Sequence, residues 1–229
     1  MLKEKEAQKP LLHIKHHSIC LESKEPKEGY EQIEVLNPRT NEMGTKYVKR
    51  YRSVDGYVDK AEWYKRTDDK YGVTYAGYKI HLSDNGSQYV LDIPFGTNAY
   101  TYFVKAAGNV NWTQKVEFAA WATKEGKTGF AMMQGGQSIK QQYTAANPGD
   151  CPAPLKKSTP TGDKWDFTDQ EIWLDEQMKK VVIPAIDKAA QSRGAFHAQA
   201  PAPVAPAKAD PHGEPDWPEP SYDDDIVPF

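Results

Sequence analysis

The central part of the chain alternates hydrophobic and polar residues in short runs, which predicts a β-rich domain. Turn-forming residues separate the runs, and Asn85-Gly86 between two of them is a strong hairpin signal. A second hairpin is predicted around Gly126. The predicted strands cover residues 32–36, 45–52, 73–82, 88–93, 115–122, 128–133 and 138–143.

A short helix is predicted between the two hairpins, over residues 97–107, with Asn98 as its cap. Short strands with one helix before the later strands favour a small Greek-key barrel over an α/β sheet. The predicted fold class is therefore mainly β, an OB-fold-like five-stranded Greek-key barrel with short helices and a disordered C-terminal tail. A β-sandwich gives much the same pattern and stays open as the alternative.

The composition changes along the chain and suggests three parts. Residues 1–28 are rich in Lys and Glu and are predicted to form an N-terminal extension, followed by a domain over 29–190. Within this domain, the Pro/Gly/Lys-rich segment 147–162 is predicted to be a linker. Residues 191–229 are rich in Pro and Ala and become acidic, so they are predicted to be a disordered tail.

A C-terminal helix is predicted over residues 169–190, where apolar residues recur near the helical period. Pro184 should kink or interrupt this helix. The stripe consists of Leu174, Met178, Val181, Val182, Ala185 and Ala189. Packing of this stripe on the barrel and a homo-oligomer contact are the two interpretations.

Hydropathy and cysteine content indicate a cytoplasmic protein that does not enter a membrane. The mean hydropathy is −0.77, and no apolar run approaches the roughly 18–20 residues that span a bilayer. The N-terminus is charged and lacks the apolar segment of a secretory signal. Cys20 and Cys151 are far apart, without a Cys-x-x-Cys motif, so reduced thiols are expected.

The net charge of −3 conceals an asymmetry between the body and the tail. Residues 191–229 contain two basic and seven acidic residues, a net charge of −5, which leaves +2 for residues 1–190. The body is therefore mildly basic, and the low overall charge says little about what it binds.

The last residues of the sequence carry a recognisable pattern, Ser-Tyr-Asp-Asp-Asp-Ile-Val-Pro-Phe over 221–229. This pattern resembles the acidic tip of bacterial and phage single-stranded DNA-binding proteins, which reads Asp-Asp-Asp-Ile-Pro-Phe. The matching residues are Asp223, Asp224, Asp225, Ile226, Pro228 and Phe229, and Val227 is an insertion. A terminal Phe presents a ring and a carboxylate together, which suits an apolar pocket rimmed by a basic residue.

The resemblance implies sequence-independent binding of single-stranded DNA during replication, recombination and repair. It also implies that the tip recruits partner proteins such as a polymerase, a helicase or recombination enzymes. If the chain is encoded by a phage, its compartment is the host cytoplasm. Two alternatives stay open: a strand-annealing or recombination mediator, and a replication adaptor that does not bind DNA.

Non-specific binding of single strands requires cations for phosphates and flat rings for bases, and residues 46–80 are rich in both. Tyr and Trp also favour strands, so strand formation alone explains many of these aromatic residues. The candidate DNA-binding residues are Lys46, Tyr47, Lys49, Arg50, Tyr51, Arg52, Trp63, Tyr64, Lys65, Arg66 and Tyr78.

The sequence contains no pattern that favours an enzyme or a bound cofactor. His13, His16, His17 and Cys20 have spacings that could suit zinc, but the segment has no second ligand pair. No phosphate-binding loop, nucleophile elbow or His-Glu-x-x-His motif is present. We therefore predict a binding protein without a metal, a cofactor or catalytic residues.

Overall fold

A computed structural model describes residues 9–37, 41–69, 72–159 and 162–199, and the structural statements below concern these residues. The protein is mainly β, as predicted, with one curled ten-stranded sheet, a separate two-stranded sheet and helices. The strands are β1 (Leu11–Lys15), β2 (Ser18–Ser23), β3 (Glu31–Asn37), β4 (Glu42–Tyr51), β5 (Ser53–Asp68), β6 (Val73–Asp84), β7 (Ser87–Pro94), β8 (Val116–Ala122), β9 (Thr128–Gln134), β10 (Gln137–Ser138), β11 (Leu155–Thr159) and β12 (Gly162–Asp166). The helices are α1 (Asn98–Ala107), α2 (Thr168–Gln177), a π-helical segment (Met178–Val182) and α3 (Ile183–Gln199).

The large sheet has ten strands, whereas a five-stranded barrel was predicted, and its strand order is β10-β9-β8-β5-β6-β7-β1-β2-β4-β3. Its strand pairs are antiparallel except β1–β7, which is parallel. Arg52 alone separates β4, which pairs with β2, from β5, which pairs with β8. The chain therefore bends at this residue and passes from one part of the curled sheet to another.

Two hairpin turns show how local sequence shapes the sheet. Asn85 and Gly86 have φ angles of 45° and 83° and connect β6 to β7, as predicted. The turn between β1 and β2 consists of His16 and His17, with φ angles of 51° and 58°. The segment 1–28, predicted to be an extension, thus contributes two paired strands to the large sheet.

Two predictions for the later part of the β-region are corrected. The strand predicted over 138–143 shrinks to β10, which pairs with β9 through only two residue positions. The segment predicted to be a linker, 147–162, contains β11, which forms an antiparallel hairpin with β12.

Helix α1 lies against β7, β9 and α2 and supplies much of the core. The backbone N–H of Tyr100 donates to the Thr97 hydroxyl at 3.2 Å, so Thr97 is the N-cap rather than Asn98. Tyr100 and Phe103 are buried, together with Phe118 from β8. The core thus lies between the curled sheet and the helices.

The C-terminal helices pack their apolar stripe into this core, as the first interpretation predicted. The buried positions are Leu174, Met178, Val182, Ile186 and Ala189. Val181, predicted to belong to the stripe, is exposed instead. A π-helical turn precedes Pro184, the position where an interruption was predicted.

Helix α3 continues to Gln199, so the first residues assigned to the disordered tail are helical. Residues 200–229, including the acidic tip, lie outside the described residues. Among the described helices, none is both long enough and apolar enough to cross a membrane.

Candidate nucleic-acid interface

The hairpin formed by β5 and β6 has two distinct faces because side chains alternate along a strand. The cross-strand pairs Ala61–Ile80 and Trp63–Tyr78 point toward the core. The intervening positions point away from it and carry Tyr64 and Arg66 on β5, and Tyr75 and Lys79 on β6. We call these four residues the outer row.

The outer row places each cation over an aromatic ring. Lys79 Nζ lies 5.6 Å from the centroid of the Tyr64 ring, and Arg66 Cζ lies 5.9 Å from that of Tyr75. Tyr75 is 41% exposed and Arg66 is also exposed. Distances of this size permit cation–π attraction. Arg66 and Tyr75 form the exposed pair, whereas Tyr64 and Lys79 are half-buried.

A hydrogen-bonded chain fixes the orientation of Tyr64. Its hydroxyl donates to Asp92 Oδ1 at 2.8 Å, and Asp92 Oδ2 lies 3.2 Å from His13 Nδ1. Burial raises the pKa of Tyr64, and the hydrogen bond to Asp92 raises it further, so the phenol remains a donor at neutral pH. The Tyr64 ring also lies against Gly77, where a Cβ atom would stand 3.1 Å from the ring.

A second acidic side chain on this face, that of Glu62 opposite Lys79, is paired with the cation Lys60. Glu62 Oε2 lies 3.5 Å from Lys60 Nζ and 3.3 Å from His81 Nε2. The charge of Lys60 is the main cause that lowers the pKa of Glu62. The carboxylate therefore does not leave an uncompensated negative charge beside the outer row.

Two predicted DNA-binding residues of β5 lie on the opposite face from the outer row. Trp63 is 40% exposed and contacts the rings of Tyr78 and Phe95 edge-on, at 5.0 and 5.8 Å between centroids. Lys179 Nζ lies 6.0 Å from the Trp63 ring, on the side of the helices. Lys65 is exposed and shares this face by the alternation of the strand.

Tyr78 does not belong to any accessible surface. It is 1% exposed, its ring stacks on Tyr100 at 6.0 Å, and its hydroxyl donates to Asp175 Oδ1 at 3.0 Å. A base has no open face of this ring to contact, so Tyr78 is a core residue that joins β6 to α2.

The predicted cations of β4 lie in a network with carboxylates. Lys46 Nζ lies 3.0 Å from Glu22, which also binds Lys15 at 3.2 Å, and Arg50 Nε lies 3.4 Å from Glu31. Burial alone would raise the pKa of Glu22, but the two ammonium groups hold it below its ordinary value. These cations are accessible but already neutralised in part.

The remaining residues predicted on β4 alternate to the other face. Lys49 Nζ lies 5.7 Å from the ring of Tyr51, which packs partly against the core, and Tyr47 is half-buried. Arg52 is exposed at the bend between β4 and β5. In the sheet order, β6, β7, β1 and β2 lie between β5 and β4, so the predicted residues form separate groups rather than one surface.

The histidines and the cysteine considered for zinc point to different partners. Cys20 is buried with its Sγ near the His13 carbonyl oxygen, and His17 Nδ1 lies 3.3 Å from the Thr128 hydroxyl. Within the described residues, no three His, Cys, Asp or Glu side chains are grouped so that they could hold a metal ion.

The outer row combines an exposed cation–ring pair, Arg66 with Tyr75, and a half-buried one, Lys79 with Tyr64, on one sheet face. Sequence analysis found Tyr64 and Arg66 but did not select Tyr75 and Lys79, which the register of β5 and β6 brings beside them. In comparisons with protein-family models, curated proteins and solved structures, nothing matches the chain.

Proposed function

We propose that the protein binds single-stranded DNA without sequence preference and that the outer row is part of its contact surface. The observation that carries this proposal is the pairing of Lys79 with Tyr64 and of Arg66 with Tyr75 on one accessible face. Rings stack on bases, and neighbouring cations contact phosphates, which together suit a strand of any sequence. Each base–ring stack typically contributes about 1–3 kcal/mol.

The arrangement favours a single strand over a duplex. Tyr64 faces Gly77, and Tyr75 is the next position of the same face along β6, so the two rings are diagonal neighbours. Such neighbours lie about 7–8 Å apart, close enough for nearby nucleotides of one strand to use both rings. Stacking needs bases whose faces are open, and a duplex keeps these faces against one another.

The OB-type barrel remains part of the proposal. The elements β5, β6, β7, α1, β8 and β9 follow the order strand, strand, strand, helix, strand, strand, and β8 pairs with the first part of β5. OB-folds bind oligonucleotides on the face of their second and third strands. By this analogy Tyr75 and Lys79 lie on the second strand, and β1–β4 are additions to the five-stranded pattern.

The acidic tip keeps its proposed role in recruiting replication, recombination or repair proteins. This part of the proposal rests on the sequence pattern of Asp223, Asp224, Asp225, Ile226, Pro228 and Phe229. A chain that ends at Gln199 removes the tip and retains every described element, so it should still bind DNA.

The decisive test compares two neighbouring cations on opposite faces of β5. Arg66→Ala removes a cation of the outer row, and Lys65→Ala removes the same charge from the face toward the helices. Affinity for a fluorescent oligothymidine is measured by anisotropy over a range of salt concentrations. We expect Arg66→Ala to weaken binding about 10-fold, which corresponds to about 1.4 kcal/mol, near the low end for a hydrogen bond to a charged group.

The salt dependence gives an independent measurement. Loss of one phosphate contact reduces the slope of log affinity against log salt by about 0.7 for single strands, and Arg66→Ala should show this reduction. Lys65→Ala should change the affinity less than about 2-fold, because any effect is then limited to long-range charge. Equal effects of the two substitutions would assign the binding to net charge and not to the outer row. Absence of binding by the unchanged protein would leave the adaptor alternative.

A further inference from the structure

The hairpin of β11 and β12 is separate from the large sheet and carries an exposed tryptophan. Trp165 pairs with Lys156 across the hairpin and is 52% exposed. Leu155 pairs with Asp166, so its side chain lies on the opposite face, where it is 54% exposed. The hairpin thus exposes one large apolar side chain on each face.

Trp165 does not hold the hairpin together. Among the described residues it has no ring–ring or cation–ring contact, whereas Trp173 packs edge-on against Tyr143 at 4.8 Å. The two strands are joined by their ladder and by ion pairs, of Lys156 with Asp163 at 2.6 Å and of Lys157 with Asp166. The indole is therefore available for a ligand.

The base of the hairpin is anchored to α2, which fixes the position of the ring. Asp166 Oδ1 accepts hydrogen bonds from the backbone N–H of Thr168 at 3.0 Å and from its hydroxyl at 2.6 Å. Because Trp165 directly precedes Asp166, the residue that carries the exposed ring is tied to the first turn of the helix.

We infer that Trp165 is a second stacking platform for single-stranded DNA, an inference that rests on the proposed function. The described residues of the hairpin contain Lys156, Lys157 and Lys164 against Asp163 and Asp166, a net charge of +1. Lysine is depleted at protein–protein interfaces, whereas an exposed ring on a hairpin of net positive charge suits a strand with open bases. The charge and the ring together favour nucleic acid as the occupant.

Lys156, directly opposite Trp165 on the neighbouring strand, supplies the phosphate contact. Lys156 is 55% exposed in its side chain, and its ion pair with Asp163 is weak in water, so a phosphate can replace it. Lys157 and Lys164 pair with each other on the opposite face of the hairpin. A nucleotide stacked on Trp165 thus has the ammonium group of Lys156 beside it, and the other two lysines add positive charge to the same hairpin.

The test uses the full chain, with two substitutions on one hairpin. Trp165→Ala removes the exposed ring, and Leu155→Ala removes an exposed apolar side chain of the opposite face as a matched control. We expect Trp165→Ala to weaken oligothymidine binding about 10-fold and Trp165→Phe to restore most of it, because Phe keeps a π face. Leu155→Ala should change binding less than about 2-fold.

Fluorescence provides a second measurement on the same proteins. Stacking quenches tryptophan, so the quenching caused by the oligonucleotide should be smaller in Trp165→Phe than in the unchanged protein. If Trp165→Ala matches Leu155→Ala in affinity and the quenching is unaltered, the inference is overturned, while loss of binding in Arg66→Ala would still support the proposed function. If the unchanged protein binds no oligothymidine, both the proposed function and this inference fail.

Discussion

Arg193 joins α3 to the sheet and offers a quantitative test of the fold. Its guanidinium donates from Nη1 to the Trp112 carbonyl oxygen at 2.5 Å, and from Nη2 to the Val58 carbonyl oxygen at 2.6 Å. Nη2 also contacts Asp59 Oδ1 at 3.1 Å, and Cζ lies 5.2 Å from the Tyr57 ring. The side chain is only 13% exposed, so it acts as a buried link between elements distant in sequence.

Substitution of Arg193 by Ala should destabilise the protein by about 3 kcal/mol. It leaves the carbonyl oxygens of Trp112 and Val58 without their donor, and each buried unsatisfied acceptor costs about 1–3 kcal/mol. We take about 1 kcal/mol for each, because water can reach them once the guanidinium is gone. The lost cation–π contact with Tyr57 adds about 0.5–1 kcal/mol, and the ion pair with the partly exposed Asp59 adds little.

Urea denaturation followed by circular dichroism measures this change. With a typical slope of about 2 kcal/mol per molar urea, a loss of 3 kcal/mol lowers the midpoint by about 1.5 M. Lys188→Ala is the control, because it removes an exposed cation of the same helix and should change stability by less than about 0.5 kcal/mol. A midpoint for Arg193→Ala equal to that of the control would refute the view that α3 is fastened to the sheet at this point.

Further predictions concern two buried tyrosines and one glycine. The Tyr100 hydroxyl is buried without a hydrogen-bond partner among the described residues, so Tyr100→Phe should stabilise the protein by about 1 kcal/mol in urea denaturation. Tyr78→Phe breaks the hydrogen bond to Asp175 and should destabilise the protein by a similar amount. Burial raises the pKa of Tyr100, so the phenol stays protonated to a higher pH in the folded state than in the unfolded chain. The free energy of unfolding therefore falls as the pH rises above about 10, and Tyr100→Phe should lessen this fall. A Cβ atom on Gly77 would lie 2.6 Å from the Ile93 carbonyl oxygen, so Gly77→Ala should cost about 2 kcal/mol or more, whereas Gly44→Ala, whose nearest contact is 3.8 Å, should be close to neutral. Similar thermal midpoints for the two alanine variants would contradict this interpretation of Gly77.

Hairpins with strong local signals were predictable from the sequence. Asn85-Gly86 adopts the positive φ angles that its residue types favour, and the strands on either side match the predicted ones closely. The β1–β2 hairpin was not predicted because His16 and His17 occupy its turn at positive φ, where Asn-Gly, Asp-Gly or Gly-Gly is the usual signal. Pairing with β7 and β4 on either side compensates for this unfavourable turn.

Strand β5 was not predicted because a bulge between Val58 and Lys60 shifts its alternation by one position. The core-facing residues Val58 and Ala61 are therefore three positions apart, so buried residues do not recur at every second position along the whole strand. Without β5, its register with β6 was unknown. For this reason Tyr75 and Lys79 could not be placed beside Tyr64 and Arg66, and the burial of Tyr78 could not be anticipated.

The π-helical segment allows the C-terminal helix to keep a single line of contact with the core. Leu174, Met178, Val182 and Ile186 are buried at steps of four residues. In a regular α-helix each such step over-rotates by about 40°, so the line would drift around the helix axis. The wider turn over Met178–Val182 takes more residues per rotation and cancels part of this drift. The segment therefore sets the direction in which the side chains of α3 point. Removing one residue from it would rotate α3 about its axis, and Arg193 would turn away from β5.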